Sequence, residues 1–269
     1  MLGMQKQQLL FTIAVTATSR VCLVRDRLLR KIPWDGRMAT APAGVTRHSI
    51  HCGGRVLDAV MVKPEYKAPQ ASVLLCHGIG ETVEHWLVVQ QLLATCGIAS
   101  LVFDYTGYGR STGFFRAPQA EDEAIAAFWF LERLTAPLPV SILGLSLGSG
   151  IAAAIVKRVP AHRLVLCAAF TSLRKASFRV GLPRALAFAV PPIWDAEESL
   201  RDSKVPVLLV TGENDRLFPP PMARELAGLC GPATELVIVP KVAHNEPFSR
   251  PRLTYWGAIV GQFLLKGGV

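Results

Sequence analysis

From about residue 45 onward, short aliphatic runs alternate with helical stretches, and this rhythm limits what the chain can fold into more than any other feature. The strand-like runs are Val56–Val62, Ser72–Cys76, Ser100–Phe103, Val140–Leu143, Leu164–Ala168, Val205–Val210 and Glu235–Val239. Between them lie the helical stretches Val83–Thr95, Glu121–Leu134, Leu147–Arg158, Pro221–Leu229 and Arg252–Leu265. Runs this apolar do not alternate inside and outside, so both of their faces are buried, as in a mostly parallel sheet covered by helices on both sides. The expected fold class is therefore α/β, with one domain over 46–269 and an N-terminal basic, amphipathic leader over 1–45. In the second helical stretch, Glu121, Asp122 and Glu123 are expected in the first turn, where the helix dipole favours acids.

The rhythm breaks once, over about 170–204. This insertion carries Arg174, Lys175, Arg179 and Arg184, with no acid until Asp195, and then an apolar run, Ala185–Trp194, interrupted by Pro191 and Pro192. An insertion at the carboxyl end of a parallel sheet covers the ligand crevice, so it reads as a short cap. The competing reading is a displaced surface helix pair.

The sharpest chemical signal is Gly144-Leu145-Ser146-Leu147-Gly148, directly after one strand run and directly before a helical stretch. A serine on a strained strand-to-helix turn needs small neighbours two residues to either side, so that the backbone can bend and substrate can reach Oγ. The following helix N-terminus supplies N–H groups for a developing oxyanion. A hydroxyl needs a base to become a nucleophile, and the base needs an orienting carboxylate. Asp215, just past the run ending at Val210, and His244, after the run ending at Val239, fit those places in the order Ser, Asp, His. Glu213 competes for the acid but lies closer to the strand end. His48 and His51 precede the core strands, His85 and His162 fall on the wrong side of the serine, and His77 more plausibly braces its loop. That loop, His77-Gly78-Ile79-Gly80-Glu81, follows the strand run Ser72–Cys76, and its Gly78 and Gly80 allow a tight path beside the substrate. The two oxyanion donors are assigned to the backbone N–H groups of Ile79 and Leu147. Gly107-Tyr108-Gly109 is a lone Gly-x-Gly without the further glycine of a dinucleotide loop, and reads as a turn bracing the elbow.

Taken in order, H-G-x-G-E at 77–81, D-Y-x-G-x-G-x-S at 104–111, G-L-S-L-G at 144–148, G-x-x-D at 212–215 and A-H at 243–244 resemble the α/β-hydrolase superfamily. Within it they are most similar to the monoacylglycerol-lipase and lysophospholipase-like serine hydrolases. The resemblance covers about residues 55–265. It implies hydrolysis of carboxylic esters through an acyl-enzyme, with no metal or cofactor, on a small acyl ester or lipid substrate. The leader up to about residue 45 departs from the family core, and the cap is short. An aminopeptidase or amidase would use the same triad, with Glu197 and Glu198 as the only candidates to bind a free ammonium. A non-catalytic scaffold domain would usually have lost a triad member. Dehalogenase and epoxide-hydrolase chemistry needs a carboxylate at the elbow, where this chain has serine.

Composition narrows the setting. A 51% apolar share with 18% charged residues excludes disorder over most of the length. The net charge of +9 is concentrated at the start, where residues 1–67 hold 11 Lys or Arg against 4 Asp or Glu. Lacking a run of adjacent Lys or Arg and interleaved aromatics, this pattern argues against nucleic acid and is compatible with peripheral contact to an anionic membrane through the N-terminus. Leu9–Ala17, after Lys6, has the proportions of a signal-peptide core with a Val15-x-Ala17 cleavage site, but the preferred reading is an amphipathic N-terminal helix continued by the basic stretch Arg20–Lys31; the run is too short to span a bilayer. Six cysteines without Cys-x-x-Cys spacing give no zinc or redox motif and fit a reducing compartment. The expected location is cytoplasmic or peripheral to a membrane, with export the alternative; the oligomeric state stays open.

Overall fold

The computed structural model describes residues 44–201, 203–231 and 233–266. The expected leader, with Leu9–Ala17 and its basic residues, lies outside the described residues apart from its last two.

Eight strands form one sheet in the order β1-β2-β4-β3-β5-β6-β7-β8. They are β1 (Val45–Cys52), β2 (Arg55–Val62), β3 (Ala71–Cys76), β4 (Ile98–Phe103), β5 (Val140–Leu145), β6 (Leu164–Cys167), β7 (Val207–Gly212) and β8 (Thr234–Val239). β1 and β2 form an antiparallel hairpin on one edge, and β3 to β8 run parallel. Alternate residues of each strand face opposite layers. Leu74, Leu101, Ile142, Leu166 and Leu209 enter one core with the helices α2 (Ala117–Thr135) and α3 (Leu147–Ile155). Val73, Leu75, Val102, Leu143, Val165 and Leu208 enter the other core with α1 (Val83–Thr95) and the C-terminal helical segment. Full burial of each such side chain contributes about 2 kcal/mol before conformational entropy is counted, so the two-faced apolar pattern stabilises a three-layer arrangement.

Several boundaries differ from the sequence expectation, each for a physical reason. β1 starts at Val45, and His48 and His51 lie on it rather than before the sheet. Its sequence, VTRHSIHC, is polar because it is an edge strand with one exposed side. α2 starts at Ala117, with Pro118 in its first turn, so Glu121, Asp122 and Glu123 are not first-turn acids. Glu123 is instead buried; its carboxylate accepts the Thr106 N–H at 3.0 Å and the Thr106 hydroxyl, tying α2 to the loop after β4. α3 ends at Ile155 rather than Arg158.

The insertion consists of α4 (Leu173–Arg179), a 3-10 turn (Arg184–Ala189) and α5 (Ala196–Leu200). α6 (Pro220–Leu229) and a short α7 (Glu246–Ser249) follow β7 and β8. The expected helix over Arg252–Leu265 is divided into Leu253–Tyr255, a π-helical Trp256–Gly261 and Gln262–Leu265. There the Trp256 indole N–H donates to the Pro247 carbonyl at 2.9 Å, while Gly257 and Gly261 pack close to Cys96 Sγ. Among the described residues, no helix is long and apolar enough to cross a membrane.

Candidate active site

Because β3, β5, β7 and β8 are parallel, the segments leaving their carboxyl ends share one edge of the sheet. The loops carrying Ile79, Ser146, Asp215 and His244 all start there.

Ser146 stands between β5 and α3 with φ 51° and ψ −115°, a left-handed conformation that a side chain rarely adopts. The strain is held by packing. A Cβ on Gly144 would overlap the Gly148 carbonyl, and a Cβ on Gly148 would overlap the Cys76 carbonyl at the end of β3. The Ser146 N–H donates to the Cys167 carbonyl at 3.0 Å, and the Ser149 hydroxyl donates to the Ser146 carbonyl at 2.6 Å. Both expected glycines are therefore needed by close approach, and the elbow is locked to β3, β6 and its own helix.

Ser146 Oγ lies 3.0 Å from His244 Nε2, and His244 Nδ1 lies 2.7 Å from Asp215 Oδ2. Asp215 is buried, and its Oδ1 accepts the Leu217 and Phe218 N–H groups at 2.9 and 2.8 Å, which fixes the carboxylate's orientation. The Phe218 ring stands edge-on to His244, with centroids 5.2 Å apart, and Phe170 backs it at 5.4 Å. A base within reach of a hydroxyl, and an acid that holds the base's other nitrogen, is the arrangement that general-base activation requires.

Glu213 takes no part in this chain of bonds. Its carboxylate accepts the Lys241 N–H at 3.0 Å, and the Asn214 N–H donates to the Val242 carbonyl at 2.9 Å, so the acid and histidine loops are stitched together. His162 and His85 stand apart: the His162 N–H joins β5 through the Val140 carbonyl, and the His85 ring faces Thr82 at the start of α1.

The loop after β3 shows how the oxyanion donors are divided. The Gly78 N–H donates to Glu81 Oε2 at 2.7 Å, and the same oxygen accepts the Trp86 indole N–H at 3.0 Å. A Cβ at Gly78 would sit 3.0 Å from that carboxylate, and Gly80 has a positive φ of 75°. Gly78 thus serves the loop's shape, with its N–H turned to Glu81. Among the described residues the Ile79 and Leu147 N–H groups have no hydrogen-bond partner, which leaves them open to a ligand oxygen.

His77 is fully buried, with Nδ1 2.8 Å from the Gly78 carbonyl and Nε2 3.6 Å from Asp104 Oδ1. Burial pushes the imidazole down to about 4 and the Asp104 carboxyl up to about 8, so both are held neutral. Asp104 Oδ1 accepts the Val83 N–H at 2.9 Å, and Tyr105 donates its hydroxyl to the His77 carbonyl at 3.1 Å. His77 is a bracing residue, as its place in the sequence implied, and the Gly107–Gly109 turn packs on Asp104: a Cβ at Gly109 would overlap the carboxylate.

The 170–204 insertion meets the site through Arg179, whose guanidinium donates to the carbonyls of Leu217 at 2.9 Å and Arg216 at 2.7 Å. These follow the acid directly. Lys175 pairs with Glu197 at 2.5 Å and Glu225 at 2.7 Å, tying α4 to α5 and α6. The apolar run Ala185–Trp194 is split: Ala189, Val190 and Trp194 are buried in the core, whereas Leu186 and Phe188 are exposed. Sequence reasoning gave no site role to Glu81, Phe218 or Arg179; Glu81 figures there only as the last letter of the H-G-x-G-E motif, and Arg179 only as one of the insertion's basic residues.

A family model described as serine aminopeptidase, S33, matches residues 67–195, a region that holds the 77–81 loop and Ser146 and stops short of Asp215 and His244. The chain is 24% identical over 219 residues to lysophosphatidylserine lipase ABHD12 of Danio rerio, covering 73% of this chain and 56% of that protein. It is 28% identical over 199 residues to protein bem46 of Schizosaccharomyces pombe, covering 70% and 66%. The chain therefore spans between about half and two-thirds of the length of these curated relatives. Est1E from Butyrivibrio proteoclasticus, solved with ferulic acid bound, superposes with a TM-score of 0.67 at 21% identity, covering 81% of this chain and 98% of that one. The parallel sheet, the serine-bearing elbow and these likenesses agree on an α/β-hydrolase fold for this chain.

Proposed function

We propose that this chain is a serine hydrolase that cleaves carboxylic acyl esters or thioesters through an acyl-enzyme. The observation that carries the reading is the continuous chain Ser146 Oγ, His244, Asp215, with spacings of 3.0 and 2.7 Å, at the edge where the Ile79 and Leu147 N–H groups are open. Ser146 Oγ attacks the carbonyl carbon as His244 Nε2 takes its proton. The Ile79 and Leu147 amides stabilise the oxyanion, and His244 returns the proton to the departing alcohol or thiol. Water, deprotonated by the same histidine, then attacks the acyl-Ser146 ester and releases the acid. Asp215 holds the imidazole in the tautomer that leaves Nε2 free to accept.

The relatives' names, a lysophosphatidylserine lipase and an esterase crystallised with ferulic acid, support an ester substrate. The family model's description raises aminopeptidase action instead. That reaction needs a carboxylate for the substrate's ammonium; of the two candidates, Glu197 is already paired with Lys175 at 2.5 Å, while Glu198 is exposed with no ion-pair partner among the described residues.

The test is turnover of a p-nitrophenyl ester series, from short to long acyl chains, beside aminoacyl p-nitroanilides with free amino groups. Esters are expected to be cleaved at least about a hundredfold faster than the anilides in kcat/KM, a difference of about 3 kcal/mol in transition-state stabilisation. Faster cleavage of the anilides would replace the esterase reading with the aminopeptidase one.

A further inference from the structure

Arg179 is the last residue of α4 and is exposed, yet its guanidinium is committed: Nη2 donates to the Arg216 carbonyl at 2.7 Å and Nε to the Leu217 carbonyl at 2.9 Å. These two carbonyls belong to the same peptide groups as the two N–H groups that hold the triad's acid. The Arg216–Leu217 peptide offers its oxygen to Arg179 and its N–H, that of Leu217, to Asp215 Oδ1 at 2.9 Å. The Leu217–Phe218 peptide does the same, with the Phe218 N–H 2.8 Å from that carboxylate oxygen. In a trans peptide the C=O and N–H point in opposite directions, so the cation and the carboxylate stand at opposite ends of two consecutive peptide dipoles.

A charged donor on a carbonyl polarises the amide and strengthens the hydrogen bond that its N–H makes, because hydrogen bonds in series reinforce one another. A planar fork on two successive carbonyls also fixes the two peptide planes relative to each other, which a single point charge does not do. Asp215 is buried and gives Oδ1 to these two amides and Oδ2 to His244 Nδ1, so whatever fixes the amides fixes the direction from which Oδ2 meets the base. Among the described residues, Arg179 pairs directly with no Asp or Glu and Asp215 with no Lys or Arg, so the two charges meet only through the peptides. The helix that presents the guanidinium is braced in turn, by Lys175 on Glu197 and Glu225.

We propose that Arg179 is a positioning residue of the triad: through two consecutive peptide groups it holds Asp215 in the orientation that keeps the His244 imidazole aimed at Ser146 Oγ. The inference rests on the serine-hydrolase reading and adds the insertion to the machinery, since α4 carries the residue that fixes the acid. Acylation and deacylation both use the Asp215–His244 pair, so loss of Arg179 slows both steps together. KM depends on the ratio of those steps and on substrate binding, and is therefore unchanged.

The experiment compares four full-length proteins: the wild type, Arg179→Ala, Arg179→Lys and, as a control on the same helix, Arg174→Ala. Each is assayed for p-nitrophenyl ester turnover and for the rate of labelling by a fluorophosphonate, and thermal melting verifies that each is folded. Arg179→Ala is expected to lower kcat by about ten- to a hundredfold with KM unchanged, the cost of a slightly misplaced reacting group. Arg179→Lys keeps the charge but reaches one carbonyl at a time, and is expected to fall between the two. Ethylguanidinium added to Arg179→Ala should raise kcat with concentration, and ethylammonium should raise it less. Arg174→Ala is expected to match the wild type. Wild-type kinetics in folded Arg179→Ala, a change confined to KM, or a loss that ethylguanidinium does not restore would overturn the proposal and leave the hydrolase reading standing. If the alanine variant melts early, the lysine variant decides by the same split of kcat against KM. A wild type that neither turns over esters nor labels at Ser146 would overturn both.

Discussion

Ser146→Ala is expected to lower kcat for ester hydrolysis by about 10^5-fold or more, with the melting temperature nearly unchanged. Among the described residues the Oγ atom alone is placed to bond the substrate's carbonyl carbon in the proposed reaction, and its removal leaves only the oxyanion amides and binding. Asp215→Asn is expected to cost about 10^4-fold, because an amide cannot hold His244 in the tautomer that leaves Nε2 free. The combination matters more than either value. On this mechanism every step that uses His244 also needs Ser146, and Asp215 acts through His244, so the triple variant, with His244→Ala added, should be no slower than Ser146→Ala alone. Steady-state kinetics on the single variants and the triple decides this. Losses that multiply would show three independent contributions and contradict the unit described here.

The second large effect falls on stability. Gly148→Ala is expected to destabilise the fold by about 3 kcal/mol and to abolish turnover in whatever protein remains folded. Its new methyl would overlap the Cys76 carbonyl and lie 2.8 Å from the His77 carbonyl, so α3 must move away from the end of β3. That movement separates the Leu147 N–H from the Ile79 N–H, which belong to the two elements being pushed apart. Gly228→Ala is the matched control. It lies in α6 with nothing within 4 Å of the new carbon, and it is expected to stabilise by roughly 0.5 kcal/mol through helix propensity. Chemical denaturation of both variants measures the contrast. A Gly148→Ala protein as stable as the Gly228→Ala protein would mean that the elbow is not held by this contact.

Much of this arrangement is legible in the sequence because it depends on local pattern and chain order. The parallel strands are continuous apolar runs since both faces are buried, and Ser146, Asp215 and His244 each follow such a run. The flanking glycines are legible for the same reason: the elbow's need for them is a matter of adjacent residues. β1 escapes this reasoning because an exposed edge strand lacks the apolar run. Glu123 misleads it, since an acid five residues past Pro118 looks like solvated helix surface until the Thr106 loop is seen to close over it. Pairings across long separations are invisible for a further reason. Arg179 with the carbonyls of Arg216 and Leu217, and Phe218 against His244, depend on where loops settle after the sheet has formed. The insertion's apolar run shows the limit most plainly: hydrophobicity alone does not separate Val190 and Trp194, which are buried, from Leu186 and Phe188, which face outward.

The central claim is that Ser146 becomes transiently acylated, and the most direct measurement is intact-protein mass spectrometry of the full chain after mixing with a p-nitrophenyl ester and rapid acid quench. The expected result is a mass increase equal to the acyl group. It should map to the peptide containing Ser146, decay with time as p-nitrophenol release settles to its steady rate, and be absent in Ser146→Ala. Ester turnover with no acyl adduct in the pre-steady-state burst, or an adduct on another residue that Ser146→Ala retains, would contradict it.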